Sequence, residues 1–333
     1  METDYLLEYN KPLPDGLSLP QSSGKFSGAL RFMFTPRPQF LLPGSAAVIL
    51  GTALGYGVCG SFDVVAAILA LVSIVLFNGG ANMVNDYYDH VSGNDWLNKN
   101  ISPFSGGSRS IQNGIVTPRA MLLGGLSMLC LGSVFGLAIV LIKGSLFILV
   151  LGVIGVLGGF FWTAPPLRIC YRLIGEPFIF VLFGLLPVYG AYYIQTGSID
   201  FLPLLPAVIL GILVALVLLI NNFLDIEADT AVNKRTLVVR YGVKAGVLVY
   251  RISLAVTFVA AAAMMVFFKE LFWGGFFYCL MFPAAVFAAK SANAKDMAKP
   301  GYFLANKITI IYHFASAIII GAGFVYYGLT AGQ

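Results

Sequence analysis

The sequence contains apolar runs long enough to cross a lipid bilayer, and they recur along most of its length. A helix that crosses the hydrocarbon core of a membrane needs about 20 predominantly apolar residues. The spans that we predict, nine in number, cover residues 39–58, 64–84, 120–142, 145–164, 177–195, 202–222, 247–268, 271–289 and 305–328. The composition agrees, because 59% of residues are hydrophobic and only 11% are charged, whereas soluble domains have roughly 25% charged residues. The chain is therefore predicted to be an all-α, multi-span membrane protein in a lipid bilayer.

The apolar runs follow a polar N-terminal segment. Residues 1–25 contain acidic residues and prolines and lack the apolar region of a cleavable signal peptide, so we interpret them as a polar tail. Residues 26–333 are then expected to form a single transmembrane domain. The net charge of +5 is modest and no basic tract suits nucleic acid, so we expect no nucleic-acid partner.

The basic residues predict the orientation of the chain. With nine spans, eighteen of the 20 Lys and Arg residues fall on the side of the N-terminus, and only Lys143 and Lys269 fall on the other. Cytoplasmic loops of membrane proteins carry the excess of Lys and Arg. We therefore expect the N-terminus and the long loops in the cytoplasm, the C-terminus outside, and the protein in the inner (cell) membrane.

A polar stretch, Asn221–Asp229, closes the sixth predicted span. If this run is one continuous helix, Asn221, Asp225 and Asp229 occupy positions i, i+4 and i+8 and form a single stripe. Glu227 would lie about 200° around the helix from Asp225, so we interpret it as solvated rather than as a ligand. Carboxylate and amide oxygens aligned at a helix end suit a hard divalent cation.

A second stretch of the same kind, Asn85–Asp89, closes the second predicted span on the same side of the membrane. Solvation of a helix end would explain either stretch alone, but acidic residues at membrane depth are costly and usually functional. Facing carboxylates would repel each other, and two Mg²⁺ ions with an anionic ligand would relieve that repulsion. The predicted metal ligands are Asn85, Asp86, Asp89, Asn221, Asp225 and Asp229.

Basic residues accompany both acidic stretches in the predicted cytoplasmic loops. A metal site alone would not need them, whereas a polyphosphate would, because Arg and Lys bind phosphate oxygens. The general excess of basic residues on the cytoplasmic side also explains which side they lie on, so that simpler interpretation stays open. The predicted diphosphate-binding residues are Lys99, Arg109, Arg172, Lys234 and Arg235.

A cation transporter or channel is the competing function class. Transport would require polar residues across the bilayer and a site near its midplane. The acidic stretches instead lie at the predicted cytoplasmic ends of the spans, and the external halves carry almost no ionisable residue. The pattern favours an enzyme.

Both stretches resemble the Asn/Asp-rich motifs of the UbiA superfamily of intramembrane prenyltransferases. Asn85–Asp89 followed by Gly93-Asn94-Asp95 is similar to the first motif, and Asn221–Asp229 is similar to the second. The continuation Asn233–Gly242 resembles the stretch that follows the second motif.

Other segments resemble one branch of this superfamily, which acts on 1,4-dihydroxy-2-naphthoate in menaquinone synthesis. Ser105–Gly114 and Phe183–Gly197 are similar to hallmarks of that branch. Trp162–Arg172, with its Ala-Pro-Pro, resembles several other branches as well. The alternative acceptors are therefore 4-hydroxybenzoate, a haem or chlorin, and a glycerol-phosphate lipid.

The resemblance implies nine helices around a central cavity that opens to the cytoplasmic side. It also implies Mg²⁺-dependent transfer of a polyprenyl group from a polyprenyl diphosphate to an aromatic acceptor. The implied catalytic residues are Asp86, Asp89, Asp225 and Asp229. Aromatic side chains stabilise cations by their π faces, and the candidates for the acceptor or the cation are Tyr88, Tyr171 and Phe223.

Overall fold

The computed structural model describes residues 35–100, 107–297, 299 and 302–331. In those ranges the regular secondary structure is helical and no β-strand occurs, which agrees with the predicted all-α fold. The predicted polar tail of residues 1–25 lies outside the described residues.

The helices are numbered here in chain order. They are α1 (Leu42–Cys59), α2 (Val64–Ser92), α3 (Asn94–Leu97), α4 (Pro118–Lys143), α5 (Leu146–Phe161), α6 (Gly175–Thr196), α7 (Leu204–Asn222), α8 (Ile226–Ala231), α9 (Leu237–Phe267), α10 (Phe272–Cys279), α11 (Phe282–Ser291), α12 (Ala294–Met297) and α13 (Leu304–Ala331). The middle of α6 winds as a π-helix over Phe180–Leu185. Near its start, α9 is interrupted at Gly242, whose φ of 82° and ψ of 170° are not helical.

Seven described helices are long and apolar enough to cross a membrane, namely α1, α2, α4, α6, α7, α9 and α13. The pair Lys269–Cys279 and Phe282–Ser291, which contains α10 and α11 and is bent by 51°, passes the same test as one broken span. The remaining predicted span corresponds to α5, which has only 16 residues. A helix of that length measures about 24 Å, against a hydrocarbon core of about 30 Å. The chain is a multi-pass membrane protein, while the ninth crossing stays a prediction.

Close helix crossings hold the bundle together. α2 packs extensively against α4, and α1 packs against both α6 and α13. At the α2–α4 crossing, a Cβ added to Gly80 would lie only 2.8 Å from the carbonyl oxygen of Gly125. Such small residues are typical of helix contacts in membranes, because association there depends on van der Waals packing rather than on the hydrophobic effect.

Burial differs strongly between the helices. In the most apolar window of α7, 61% of the residues are buried, compared with 22% in α4. Large side chains on the outer helices are exposed, such as Leu141 at 82% and Phe267 at 74%, as expected of a surface that faces lipid. The second acidic stretch therefore begins at the end of a central helix, and the first lies in the last turns of α2.

Candidate active site

The two acidic stretches, predicted to form one site, lie around one cavity. This cavity contains about 1220 Å³ of space that no atom fills, part of it open to solvent. Its polar lining includes Arg37, Asn82, Asn85, Asp89, Asn94, Asp95, Arg172, Glu176, Asn221, Asn222, Asp225 and Lys234. Its apolar lining includes Phe40, Pro43, Trp162, Ile179, Leu182, Phe183, Val214, Val217 and Leu218. A cluster of carboxylates, amides and cations thus borders an apolar chamber.

The last turns of α2 present Asn85 and Asp89 to the cavity, in agreement with their spacing of one helical turn. Asn85 Nδ2 donates a hydrogen bond to Asp89 Oδ2 at 2.8 Å. This bond fixes the orientation of the carboxylate, because one of its oxygens is held by the preceding turn of the same helix.

Asp86 does not line the cavity, contrary to its predicted role as a metal ligand and catalytic residue. It is 2% exposed, forms an ion pair with Arg37 and accepts a hydrogen bond from the Ser108 backbone N–H at 3.0 Å. It continues a stripe on α2 in which Asn78 donates to the Phe40 carbonyl and Asn82 to the Pro36 carbonyl. Asp86 therefore helps to fasten the segment before α1 to α2.

The second stretch is not one continuous helix, so the predicted i, i+4, i+8 stripe is wrong. α7 ends at Asn222, a turn follows, and Asp225 precedes α8 with φ −100° and ψ 2°. Phe223 and Leu224, which lie in this turn, are each 3% exposed and belong to the core. Asn221 and Asp225 still reach the cavity lining, and Glu227 is exposed, as predicted.

Two asparagines that follow α2 connect the acidic stretches across the mouth of the cavity. Asn94 Nδ2 donates to Asp229 Oδ1 at 2.9 Å, and Asn98 Nδ2 donates to Asp225 Oδ1 at 2.6 Å. Gly93 makes this possible, because its φ of 83° ends α2 and turns the chain toward α8. Sequence reasoning missed both asparagines as functional residues, although a glycine that ends a helix and two amides four residues apart were visible signals.

Asp95 belongs to the cavity lining, although it was not among the predicted ligands. Gln112 Nε2 donates to its Oδ2 at 3.4 Å, and a Cβ added to Gly107 would lie 2.4 Å from the same oxygen. Burial, and then the nearby Asp89 and Asp86, raise the pKa of Asp95 well above its usual range. Asp95 therefore lies close to the other carboxylates, in a buried place where its charged form is costly.

Lys234 lies between the two acidic stretches. Its Nζ is 3.4 Å from Asp229 Oδ1 and 3.9 Å from Asp89 Oδ2, and its side chain is 12% exposed. Burial by itself would lower the pKa of Lys234, but Asp229 and Asp89 outweigh that effect and hold it well above its usual range. A protonated amine therefore stands at the centre of the site.

The carboxylates leave acceptor positions for a cation. Asp89 Oδ1 and Asp229 Oδ2 are buried and have no hydrogen-bond partner among the described residues. Within the same part of the chain, no three Asp, Glu, His or Cys side chains converge closely enough to hold a metal by themselves. The donor set fits a hard divalent cation of the Mg²⁺ type, which commonly takes one or two carboxylates and completes its shell with water and phosphate oxygens.

The other predicted diphosphate-binding residues are distributed around the site. Arg172 lines the cavity, with its Nε donating to the Leu167 carbonyl at 2.8 Å. Arg109 supports the Asp95 segment instead, because its guanidinium donates to the Asp95 backbone carbonyl. Lys99 and Arg235 are exposed and do not line the cavity, so only Lys234 and Arg172 of the five predicted residues do.

The three predicted aromatic candidates do not line the cavity either. Tyr88 packs against the buried cluster around Tyr87. Phe223 is part of the core, where its ring lies against Gly246. Tyr171 lies behind Lys234, whose Nζ is 5.9 Å from the ring centroid. Among the described residues, the aromatic side chains that line the cavity are Phe40, Trp162 and Phe183.

Comparison with known proteins agrees with this architecture. The chain is 32% identical over 299 residues to the 1,4-dihydroxy-2-naphthoate octaprenyltransferase of Haemophilus influenzae, a match that covers 86% of this chain and 95% of that protein. It is 34% identical over 211 residues to the protein of the same name from Escherichia coli, with 62% and 67% covered.

A solved structure has a similar fold. It is a UbiA homologue from Archaeoglobus fulgidus bound to DMAPP and Mg²⁺, with a TM-score of 0.65 and 17% identity, covering 91% of this chain and 98% of that one. The sequence also matches the model of the UbiA prenyltransferase family over residues 45–306. Because this match extends over most of the chain, the protein is a membrane prenyltransferase that belongs to the UbiA family.

Proposed function

We propose that the protein transfers a polyprenyl group from a polyprenyl diphosphate to 1,4-dihydroxy-2-naphthoate in menaquinone biosynthesis. The observation that carries the proposal is that carboxylates of both acidic stretches lie around Lys234, at the polar mouth of a cavity with apolar walls. The relatives from Haemophilus influenzae and Escherichia coli, both named as naphthoate octaprenyltransferases, support the choice of acceptor.

The diphosphate would bind at the polar mouth. Asp89 and Asp95 from one side and Asp225 and Asp229 from the other would hold Mg²⁺, with Asn85 and Asn221 nearby. When bound, Mg²⁺ would supply Lewis-acid stabilisation of the leaving diphosphate. Asp95 takes the place that the sequence suggested for Asp86, because Asp95 lines the cavity and Asp86 pairs with Arg37. Asp229 does not line the cavity either, but we keep it as a ligand because its buried Oδ2 has no hydrogen-bond partner among the described residues.

Lys234 and Arg172 would compensate the negative charge of the departing diphosphate. Charged donors fixed in advance stabilise developing charge most effectively in a site with little water. The buried position of Lys234, held between Asp89 and Asp229, gives it this fixed geometry. Its ammonium group would exchange part of its contact with the carboxylates for contact with phosphate oxygens.

The prenyl chain would extend into an adjacent apolar groove. This groove contains about 1240 Å³ of unfilled space and is lined by residues of α2, α4, α5 and α6, including Ile74, Gly136, Gly152 and Gly190. Leu182 lines both this groove and the cavity of the candidate active site, so the two are neighbours. An apolar chain with a charged head matches this arrangement.

Loss of diphosphate leaves an allylic cation that water would capture. The apolar walls formed by Leu182, Val214 and Val217 would exclude water, and the faces of Trp162 and Phe183 would stabilise the cation. An electron-rich carbon of the acceptor then attacks, and the ring loses its carboxylate as CO₂. We place this site on the cytoplasmic side of the inner membrane, as the distribution of basic residues predicts.

A membrane assay tests the proposal. Purified protein in vesicles is given Mg²⁺, a labelled polyprenyl diphosphate and a panel of acceptors, and the products are identified by mass. We expect transfer to 1,4-dihydroxy-2-naphthoate, and loss of turnover in Asp89→Ala and Asp225→Ala variants that remain folded. Transfer to 4-hydroxybenzoate but not to the naphthoate would refute the choice of acceptor, and an active Asp89→Ala variant would refute the site.

A further inference from the structure

Glu176 is an acidic residue of the cavity wall that belongs to neither acidic stretch. It lies in the first turn of α6, and its Oε1 accepts a hydrogen bond from Asn222 Nδ2 at 3.2 Å. Among the described residues no basic side chain forms an ion pair with it. A carboxylate at the end of a membrane helix with no cation beside it is costly, and such groups usually have a functional partner.

The chain segment that carries Glu176 lies next to an aromatic pair. Trp162 lines the same cavity and stacks on Phe178, with ring centroids 6.2 Å apart and an interplanar angle of 15°. The preceding residue, Gly175, lies against this indole, because an added Cβ would be 3.4 Å from Trp162 Cη2. Leu218 completes the local wall. A carboxylate beside an aromatic face suits an aromatic ligand that carries a hydroxyl group.

We propose that Glu176 binds a ring hydroxyl of the acceptor and takes up its proton during prenyl transfer, with the acceptor ring against Trp162. This proposal rests on the proposed function, since it assigns the position of its second substrate. A carboxylate has about four lone-pair sites, so the bond from Asn222 leaves acceptor capacity for a substrate O–H. The Asn222 amide holds the carboxylate in place, which makes Asn222 a positioning residue.

The proton transfer balances the reaction. The prenyl C–O bond breaks and its electron pair leaves with diphosphate. As the acceptor carbon bonds to the prenyl carbon, the hydroxyl proton passes to Glu176, so the ring becomes a neutral ketone rather than a cation. When the ring then loses its carboxylate as CO₂, the electron pair moves to the ketone oxygen, which takes the proton back. Glu176 returns to its carboxylate form, and no other reactant is required.

The test compares Glu176→Gln with the unchanged enzyme on acceptors with and without a free hydroxyl. The acceptors are 1,4-dihydroxy-2-naphthoate and its two mono-methyl ethers, which lack one O–H each. A positioned proton acceptor contributes about 100-fold or more in rate. We expect the unchanged enzyme to prefer the dihydroxy compound over one ether by about that factor, and Glu176→Gln to lose this preference. The KM for the prenyl diphosphate should stay the same.

Matched variants keep the outcome interpretable. Glu176→Asp, which retains the carboxylate, should restore part of the preference for the free hydroxyl, and it replaces Glu176→Gln in the comparison if the latter does not fold. Asn222→Ala should weaken the same preference without abolishing it. Lys290→Gln, at an exposed position on α11, is the control and should behave like the unchanged enzyme.

Equal loss of activity on all three acceptors in Glu176→Gln, or full activity on the dihydroxy compound, would overturn the assignment of Glu176. Either result would leave the proposed function intact. Failure of the unchanged enzyme to prenylate any aromatic acceptor would instead refute the proposed function itself.

Discussion

The buried ion pair between Arg37 and Asp86 joins the segment before α1 to the end of α2. Its arginine side chain is 13% exposed and its aspartate 2%, so neither charge is well solvated. Removing one partner of such a pair leaves an uncompensated buried charge, which is usually more costly than the pair is stabilising. Asp86 therefore matters for stability, whereas Asp95, which lines the cavity, is the residue that we assign to the metal.

A pair of substitutions separates these roles. Asp86→Asn should lower the free energy of unfolding by about 3–5 kcal/mol, because Arg37 loses its partner. Asp95→Asn should change stability little and reduce turnover at least about 100-fold at saturating Mg²⁺. Thermal unfolding in detergent and initial rates in vesicles measure the two effects. If the Asp86→Asn protein is stable but inactive, Asp86 is a metal ligand and the assignment made here is wrong.

At the scale of the elements, the segment between α3 and α4 that contains Gly107 positions Asp95. Gly107 has a φ of +71°, a conformation in which a side chain is strained, and its Cα approaches the Asp95 carboxylate closely. Gly60 has a similar φ of +64°, but an added Cβ there would meet nothing within 4 Å. A side chain would therefore strain the backbone equally at both glycines, but only at Gly107 would it also collide with a neighbour.

We expect Gly60→Ala and Gly107→Ala to lose a similar stability, about 1–2 kcal/mol, from the left-handed backbone alone. Only Gly107→Ala should also displace Asp95 and reduce kcat/KM by about 100-fold, since small misplacements of catalytic groups have effects of that size. Unfolding temperatures and rates are compared for both. Equal activity in the two variants would show that the Gly107 contact does not position the site.

The groove between α4, α5 and α6 is the element that should determine the length of the prenyl chain. Gly152 lines it, and an added Cβ there would meet nothing within 4 Å, so a large side chain fits without displacing the backbone. Gly152→Phe should lower kcat/KM for a long polyprenyl diphosphate about tenfold relative to geranyl diphosphate.

The control for the groove is Leu141→Phe on α4, at a position that is 82% exposed and outside the groove lining. It should leave the ratio of the two donors unchanged. If Gly152→Phe also leaves the ratio unchanged, the prenyl chain does not occupy this groove.

At the scale of the whole molecule, the number of crossings depends on α5. Its 16 residues are fewer than the roughly 20 that a perpendicular span needs, yet local thinning of the bilayer accommodates short spans at modest cost. If α5 crosses, the chain has nine spans and its ends lie on opposite sides. If it does not, the ends lie on the same side.

A fusion to the C-terminus distinguishes these topologies. With nine crossings, a C-terminal alkaline phosphatase should be active, because that enzyme folds only outside the cytoplasm. In parallel, a membrane-impermeant maleimide should label a cysteine placed at Ser198 but not one placed at Lys244, in protein lacking its native cysteines. A cysteine placed at Ser61, between α1 and α2, should be labelled in either case, because it precedes α5. An inactive fusion together with labelling at Lys244 and none at Ser198 would then indicate that α5 does not cross.

The sequence alone determined that this is a membrane protein, which family it belongs to, and that the two acidic stretches form one site. These properties depend on composition and on motifs within single helices, where the spacing of Asn85 and Asp89 places both on one face. It also identified Lys234 as a cation next to the carboxylates.

Tertiary structure decided what each face contacts. Asp86 pairs with Arg37, 49 residues earlier in the chain, while Asn94 and Asn98 reach Asp229 and Asp225, 135 and 127 residues away. Helical spacing orders side chains around one axis but does not specify which distant segment covers them. The break after α7 likewise could not be inferred from helical spacing; Phe223 and Leu224, which lie in it, are each 3% exposed in the packed bundle.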